Sequence, residues 1–99
     1  MSLAVGVDVA KEVHWAEIKV AGTGKVLASH AVGNTPEAIA ALIGEIREAE
    51  AGHGAAVVGI DLGGIAGLLE AMLLEAGLAL VHVPGLAVNW ARRGTAGGE

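Results

Sequence analysis

Two uninterrupted apolar runs, Leu3–Val9 (LAVGVDV) and Ala55–Ile60 (AAVVGI), set the strongest limit on the fold of this chain. Neither shows the polar alternation of a strand with one wet face. Runs of this kind read as interior strands covered on both faces, the usual state of parallel strands in an α/β sheet. An aspartate stands at the C-terminal end of the first run and directly after the second. Asp8 and Asp61 are the only aspartates among 99 residues; every other acidic residue is a glutamate. A chain of this length forms one small domain. With no Phe or Tyr and only Trp15 and Trp90, its core must be built from aliphatic side chains.

The segments between the two runs complete an α/β plan. Val13–Val20 is a strand with one more exposed face, Ala21–Gly24 (AGTG) is a turn, and Lys25–Val32 alternates again, so the first third reads as a three-stranded meander. A helix then begins: Thr35 can cap it, Pro36 suits the first helical position, and Glu37 suits the positive helix end. Ile39, Leu42, Ile43 and Ile46 form its apolar stripe, and Gly52-His-Gly54 ends it. After the second apolar run, Gly63-Gly64 is a turn and Ile65–Ala76 a second helix, stopped by Gly77. Leu78–Val83 is a fifth strand broken by Pro84-Gly85, Leu86–Arg93 reads as a short helix, and Thr95–Glu99 as a loop that begins but does not finish. The order β-β-β-α-β-α-β is that of a ribonuclease-H-like fold: a mixed five-stranded sheet, three antiparallel strands followed by β/α crossovers, with helices on its faces. In that plan the first strand is central and lies beside the strand that follows the first helix. Asp8 and Asp61 then project near one another at the carboxyl ends of parallel strands, where open α/β sheets hold ligands.

Charge and composition exclude several classes. A formal charge of −5 argues against a nonspecific basic coat for nucleic acid. The absence of cysteine excludes a disulfide framework and a thiolate metal site. The N-terminus carries no basic leader, and the longest uncharged stretch, Ala76–Ala91, contains Pro84 and falls short of the about 18–20 residues a membrane helix needs. The expectation is a soluble, cytoplasmic chain without a membrane partner.

Three readings of the aspartates stay open on the residues alone. An Asp at a strand end commonly caps a turn, which would leave a plain interaction domain. Two such carboxylates on neighbouring strands repel unless a proton or cation neutralises them. A divalent cation such as Mg²⁺ accepts one or two carboxylates with water and phosphate, and a pair of such ions about 4 Å apart serves phosphodiester chemistry. Third, Gly59-Ile-Asp-Leu-Gly-Gly64 is similar to the phosphate loop of actin-like ATPases, which would make the chain a phosphate- or nucleotide-binding module. Here, however, that segment runs into a helix rather than a β-hairpin.

A resemblance spans nearly the whole chain. Gly6-Val-Asp-Val-Ala-Lys11 followed by His14, Val32-Gly-Asn34 before a helix, Val58-Gly-Ile-Asp61 with Gly64, and Val83–Asn89 before an arginine occur in order. This set resembles the N-terminal part of transposases of the insertion-sequence 110 family, whose catalytic domain is resolvase-like. The resemblance implies a metal-dependent DEDD tetrad that cuts and exchanges DNA strands with two Mg²⁺ ions. Asp8 matches the first acid; Asp61 matches the second, usually Glu, and is shorter by a methylene. The third and fourth acids would lie in a Lys-Thr-Asp-x-x-Asp-Ala segment after the arginine region, so residues 1–99 read as an incomplete catalytic domain, inactive alone. Lys11, His14, Asn89, Arg92 and Arg93 become candidate nucleic-acid contacts, and Trp90 a stacking or packing residue. DNA, a noncoding guide RNA and further subunits are the implied partners of the complete protein. His30, His53 and His82 show no metal-ligand spacing and are read as structural or exposed.

Overall fold

Residues 2–61 and 67–84 are described by the computed structural model. Among these residues seven elements follow in the expected order: β1 (Leu3–Asp8), β2 (Val13–Val20), β3 (Val26–Gly33), α1 (Pro36–His53), β4 (Ala56–Ile60), α2 (Gly67–Glu75) and β5 (Ala79–His82). The sheet order is β3-β2-β1-β4-β5. The β1–β2 and β2–β3 pairs are antiparallel, while β1–β4 and β4–β5 are parallel. The mixed five-stranded sheet therefore stands, with β1 at its centre.

The end signals of α1 act as the sequence implies. The Thr35 hydroxyl accepts the Ala38 N–H at 3.2 Å, Pro36 opens the helix, and Gly54 closes it at φ +95°, a conformation open to glycine without the steric cost of a Cβ. Its buried stripe is Ile39, Leu42 and Ile46; Ile43 is only partly buried. Leu69 and Leu73 of α2 join the same core, which also holds Leu3, Val5 and Val7 of β1, Ala16, Ile18 and Val20 of β2, and Val58 and Ile60 of β4. The two helices pack against each other, so both cover one face of the sheet. Strand alternation follows from this: β1 buries every second residue against the helices and turns Ala4, Gly6 and Asp8 to the opposite face. Val13, Val57 and Val81 are exposed, and by the register they share that face. The expected helices thus lie on one face among the described residues.

Aliphatic packing demands close backbone approach at the sheet centre. Gly6 of β1 lies opposite Gly59 of β4 and Glu17 of β2. A Cβ at Gly59 would stand 3.1 Å from a methyl of Val83, so the glycine makes room for that side chain beside β4.

Candidate active site

The parallel β1–β4 register runs from Leu3 opposite Ala56 to Val7 opposite Ile60. Asp8 and Asp61 are the next residue on each strand, hence neighbours at the carboxyl ends of two strands roughly 4.8 Å apart. Alternation gives Asp61 the face of Val57 and Gly59, which is also the face of Asp8. Asp8 is half-buried, and the Asp61 side chain is 45% exposed. Fifty-two residues separate them in the chain, and the β3–α1–β4 crossover brings them together.

The loop after Asp8 is fixed by a polar relay. His14 is 1% exposed. Its Nδ1 accepts the Ala10 N–H at 3.1 Å, which assigns the proton to Nε2, and Nε2–H donates to Asn34 Oδ1 at 3.0 Å. Asn34 Nδ2 donates to the Lys11 carbonyl at 3.1 Å, and the Asn34 N–H to the Glu12 carbonyl at 2.9 Å. His14 and Asn34 therefore clamp residues 10–12, the turn between β1 and β2. Of the two candidates beside Asp8, Lys11 is exposed, whereas the His14 ring is buried with both nitrogens bonded inside the chain. Asn89, Arg92, Arg93 and Trp90 lie outside the described residues, as do Gly63 and Gly64.

Three neighbours of the acids emerge only from the register. His82 of β5 lies opposite Ile60, and its Nε2 is 3.8 Å from Asp61 Oδ1. Trp15 lies directly opposite Asp8 on β2, its Nε1–H bonded to Ser29 Oγ at 2.9 Å. Glu17, two residues further on the same face, is 3% exposed and 3.5 Å from Lys19. No group of three or more His, Asp or Glu side chains that could hold one metal ion occurs among the described residues.

Two carboxylates at adjacent strand ends suit a hard divalent cation, which takes oxygen ligands and completes its shell with water and phosphate. The donor chemistry fits such an ion as a partial site, in which Asp8 and Asp61 would be two of the oxygen ligands.

The fold and these paired acids define a ribonuclease-H-like α/β domain. Two structures of RuvC from Thermus thermophilus share it. One, in complex with a Holliday junction substrate, superposes with a TM-score of 0.58 at 13% identity, over 86% of this chain and 66% of that one. The other gives 0.55 at 16% identity over 98% and 71%. A Bacteroides thetaiotaomicron protein with an actin-like ATPase fold and unknown function gives 0.56 at 12% identity, over 81% of this chain and 32% of that one. The chain spans about two thirds of the first of these in length. A search of the curated proteins finds no match. A family model described as Transposase, of the DEDD insertion-sequence 110 type, matches residues 5–99. The chain belongs to this transposase family.

Proposed function

We propose that this chain supplies the first two acids, Asp8 and Asp61, of a metal-dependent centre that cuts and exchanges DNA strands in a complete DEDD transposase. The observation that carries the reading is their adjacency: one residue past the last parallel β1–β4 pair, on one face, in a chain of this family. Bound Mg²⁺ at these acids would supply Lewis-acid stabilisation of the phosphate and activation of water. Asp8 and Asp61 would hold the ion and, through it, orient a phosphodiester. The His14–Asn34 clamp keeps the turn after Asp8 in one conformation, so Asp8 is presented without paying ordering entropy at binding. Lys11, exposed on that turn, offers a cation to the DNA backbone, which would position the strand without reading its sequence. Residues 89–93 would extend that contact. DNA, a guide RNA and further subunits would be the partners of the complete enzyme, in the cytoplasm.

The likeness to an actin-like fold favours a second reading, a phosphate-binding module. In that reading the turn after β1 would wrap phosphates, but it is Val9-Ala-Lys-Glu12 and lacks the Gly-Thr of such loops. The deciding experiment is Asp8→Asn in the complete enzyme. Strand exchange is expected to vanish with the fold intact; retained activity overturns the assignment.

A further inference from the structure

The sheet face that carries Asp8 also carries a hollow. Asp8 of β1, Trp15 of β2 and Ala31 of β3 form one row across three strands, each opposite the next. Side chains so paired are contact neighbours. The row is uneven in size: an indole stands between a carboxylate and a methyl. The space left around it, about 290 Å³, is bounded by Asp8, Ala10, Val13, His14, Trp15 and Ala31. That is close to the lower end of small-ligand pockets.

Its chemistry is selective. Among the described residues that bound it, none is a lysine or arginine and one is a carboxylate, a lining that disfavours a phosphate. Ala10, Val13, Trp15 and Ala31 give it apolar walls. The indole is also held in place, because Nε1–H is bonded to Ser29 Oγ at 2.9 Å across the β2–β3 pair. A planar group entering the hollow would meet a preset aromatic wall and an exposed Val13 rather than a side chain it must first order.

We propose that this hollow is a nucleobase subsite: it receives an unstacked DNA base from the nucleotide next to the phosphate held at Asp8 and Asp61. This rests on the metal-centred reading of the two acids and adds to it the site of the neighbouring base. Every base has a π-face, so an aromatic platform accepts bases with little sequence preference. The walls thus provide grip on a single strand, while the acids meet its backbone.

The test uses the isotopically labelled chain, with a Trp90→Phe variant to assign the Trp15 indole N–H resonance. An oligothymidylate and the matching oligonucleotide of abasic sugars are titrated in the presence of Mg²⁺, and Mn²⁺ broadening is recorded separately. The expected result is that the base-bearing strand shifts the Trp15 indole and the Val13 and Ala31 amides, and that the abasic strand binds roughly 5- to 150-fold more weakly. Ala31→Leu, which fills the hollow from an exposed position, should produce the same loss, and Trp15→Phe should retain most of the affinity. Equal binding of the two strands, or no response at Trp15, overturns the subsite. Equal binding with Mn²⁺ broadening centred on Asp8 and Asp61 does so while leaving the acid reading standing. Base-dependent shifts at Trp15 without broadening at either aspartate support the hollow and overturn the metal-centred reading.

Discussion

Replacing His14 by Phe isolates the polar relay that holds the turn after Asp8. The phenyl ring is larger than the imidazole, so no cavity opens; the loss of two hydrogen bonds is the floor of the effect, and overpacking adds to it. The Ala10 N–H loses its acceptor at 3.1 Å and Asn34 Oδ1 its donor at 3.0 Å. A buried polar group left without a partner costs about 1–3 kcal/mol. Both bonds are only part-buried, which favours the lower end and gives about 2–3 kcal/mol for the two. For a domain of this size each kcal/mol moves the melting temperature by about 4–8 °C, so a fall of about 10–20 °C or more is expected. Urea unfolding followed by circular dichroism should show a lower midpoint with an unchanged slope. A double-mutant cycle with Asn34→Ala should return a coupling of about 1 kcal/mol, because the two side chains share one bond. Hydrogen exchange at the Ala10 amide should accelerate more than exchange in the sheet. A His14→Phe variant within about 0.5 kcal/mol of the parent, or one additive with Asn34→Ala, would refute the clamp.

Other expectations follow from pairs away from the acids. His30 donates to the Ala31 carbonyl and to Glu45, both of which favour the imidazolium and raise its pKa above 6.5. The stabilisation is therefore complete below the unfolded pKa and lost as pH rises through the higher folded value. Glu45→Gln should cost less than about 1 kcal/mol at pH 6 and next to nothing at pH 8, as read by urea midpoints. Glu50 is lowered from 4.5 by Arg47 and then by the Ala56 N–H, so its contribution holds above the unfolded pKa and fades as pH falls through the lower folded one; Glu50→Gln should flatten the acid limb of the stability curve by under about 1 kcal/mol. Gly77 sits at φ +81°, where Ala is strained, so Gly77→Ala should destabilise by about 1–2 kcal/mol. Gly44, inside α1 with open space around it, should instead gain about 0.5–1 kcal/mol as Ala, and melting temperatures of the two variants should move in opposite directions.

The parts of the fold legible in the sequence are those that local chemistry dictates. Uninterrupted apolar runs marked β1 and β4 as strands with a neighbour on each side, although among the described residues the helices cover only one face and Val57 is exposed on the other; Thr35-Pro36-Glu37 marked the start of α1 because each residue there satisfies a local need of a helix end. The adjacency of Asp8 and Asp61 followed from strand order, which the meander and the crossovers fixed together. What escaped was set by register between distant segments. His14 read as a candidate nucleic-acid contact through the family resemblance; its hydrogen-bond partner Asn34 stands twenty residues later, just after β3, and was not visible from local sequence. His82 lacked ligand spacing along the chain, yet the β4–β5 register brings it to Asp61. His30 likewise found Glu45 across the β3–α1 interface. Trp15 escaped for the same reason: a hairpin closed through Val9–Glu12 would pair Asp8 with Val13, whereas the observed register pairs it with Trp15.

The same reasoning shows where the candidate site depends on the core. Asp8 and Asp61 share no hairpin; β1 and β4 are parallel, and parallel neighbours need a crossover to meet. Here the crossover starts two strands away, at β3, and passes through α1. Ile39, Leu42 and Ile46 bury against the sheet and seat that helix, while Glu50 accepts the Ala56 N–H at 2.9 Å and ties the helix end to the first residue of β4. The register of β4 against β1 is thus set at both levels, by apolar burial along α1 and by one charge-assisted bond at its exit. A shift of a single residue would turn Asp61 toward the helices, because side chains alternate along a strand. The acid pair is a property of the packed crossover as much as of the two aspartates.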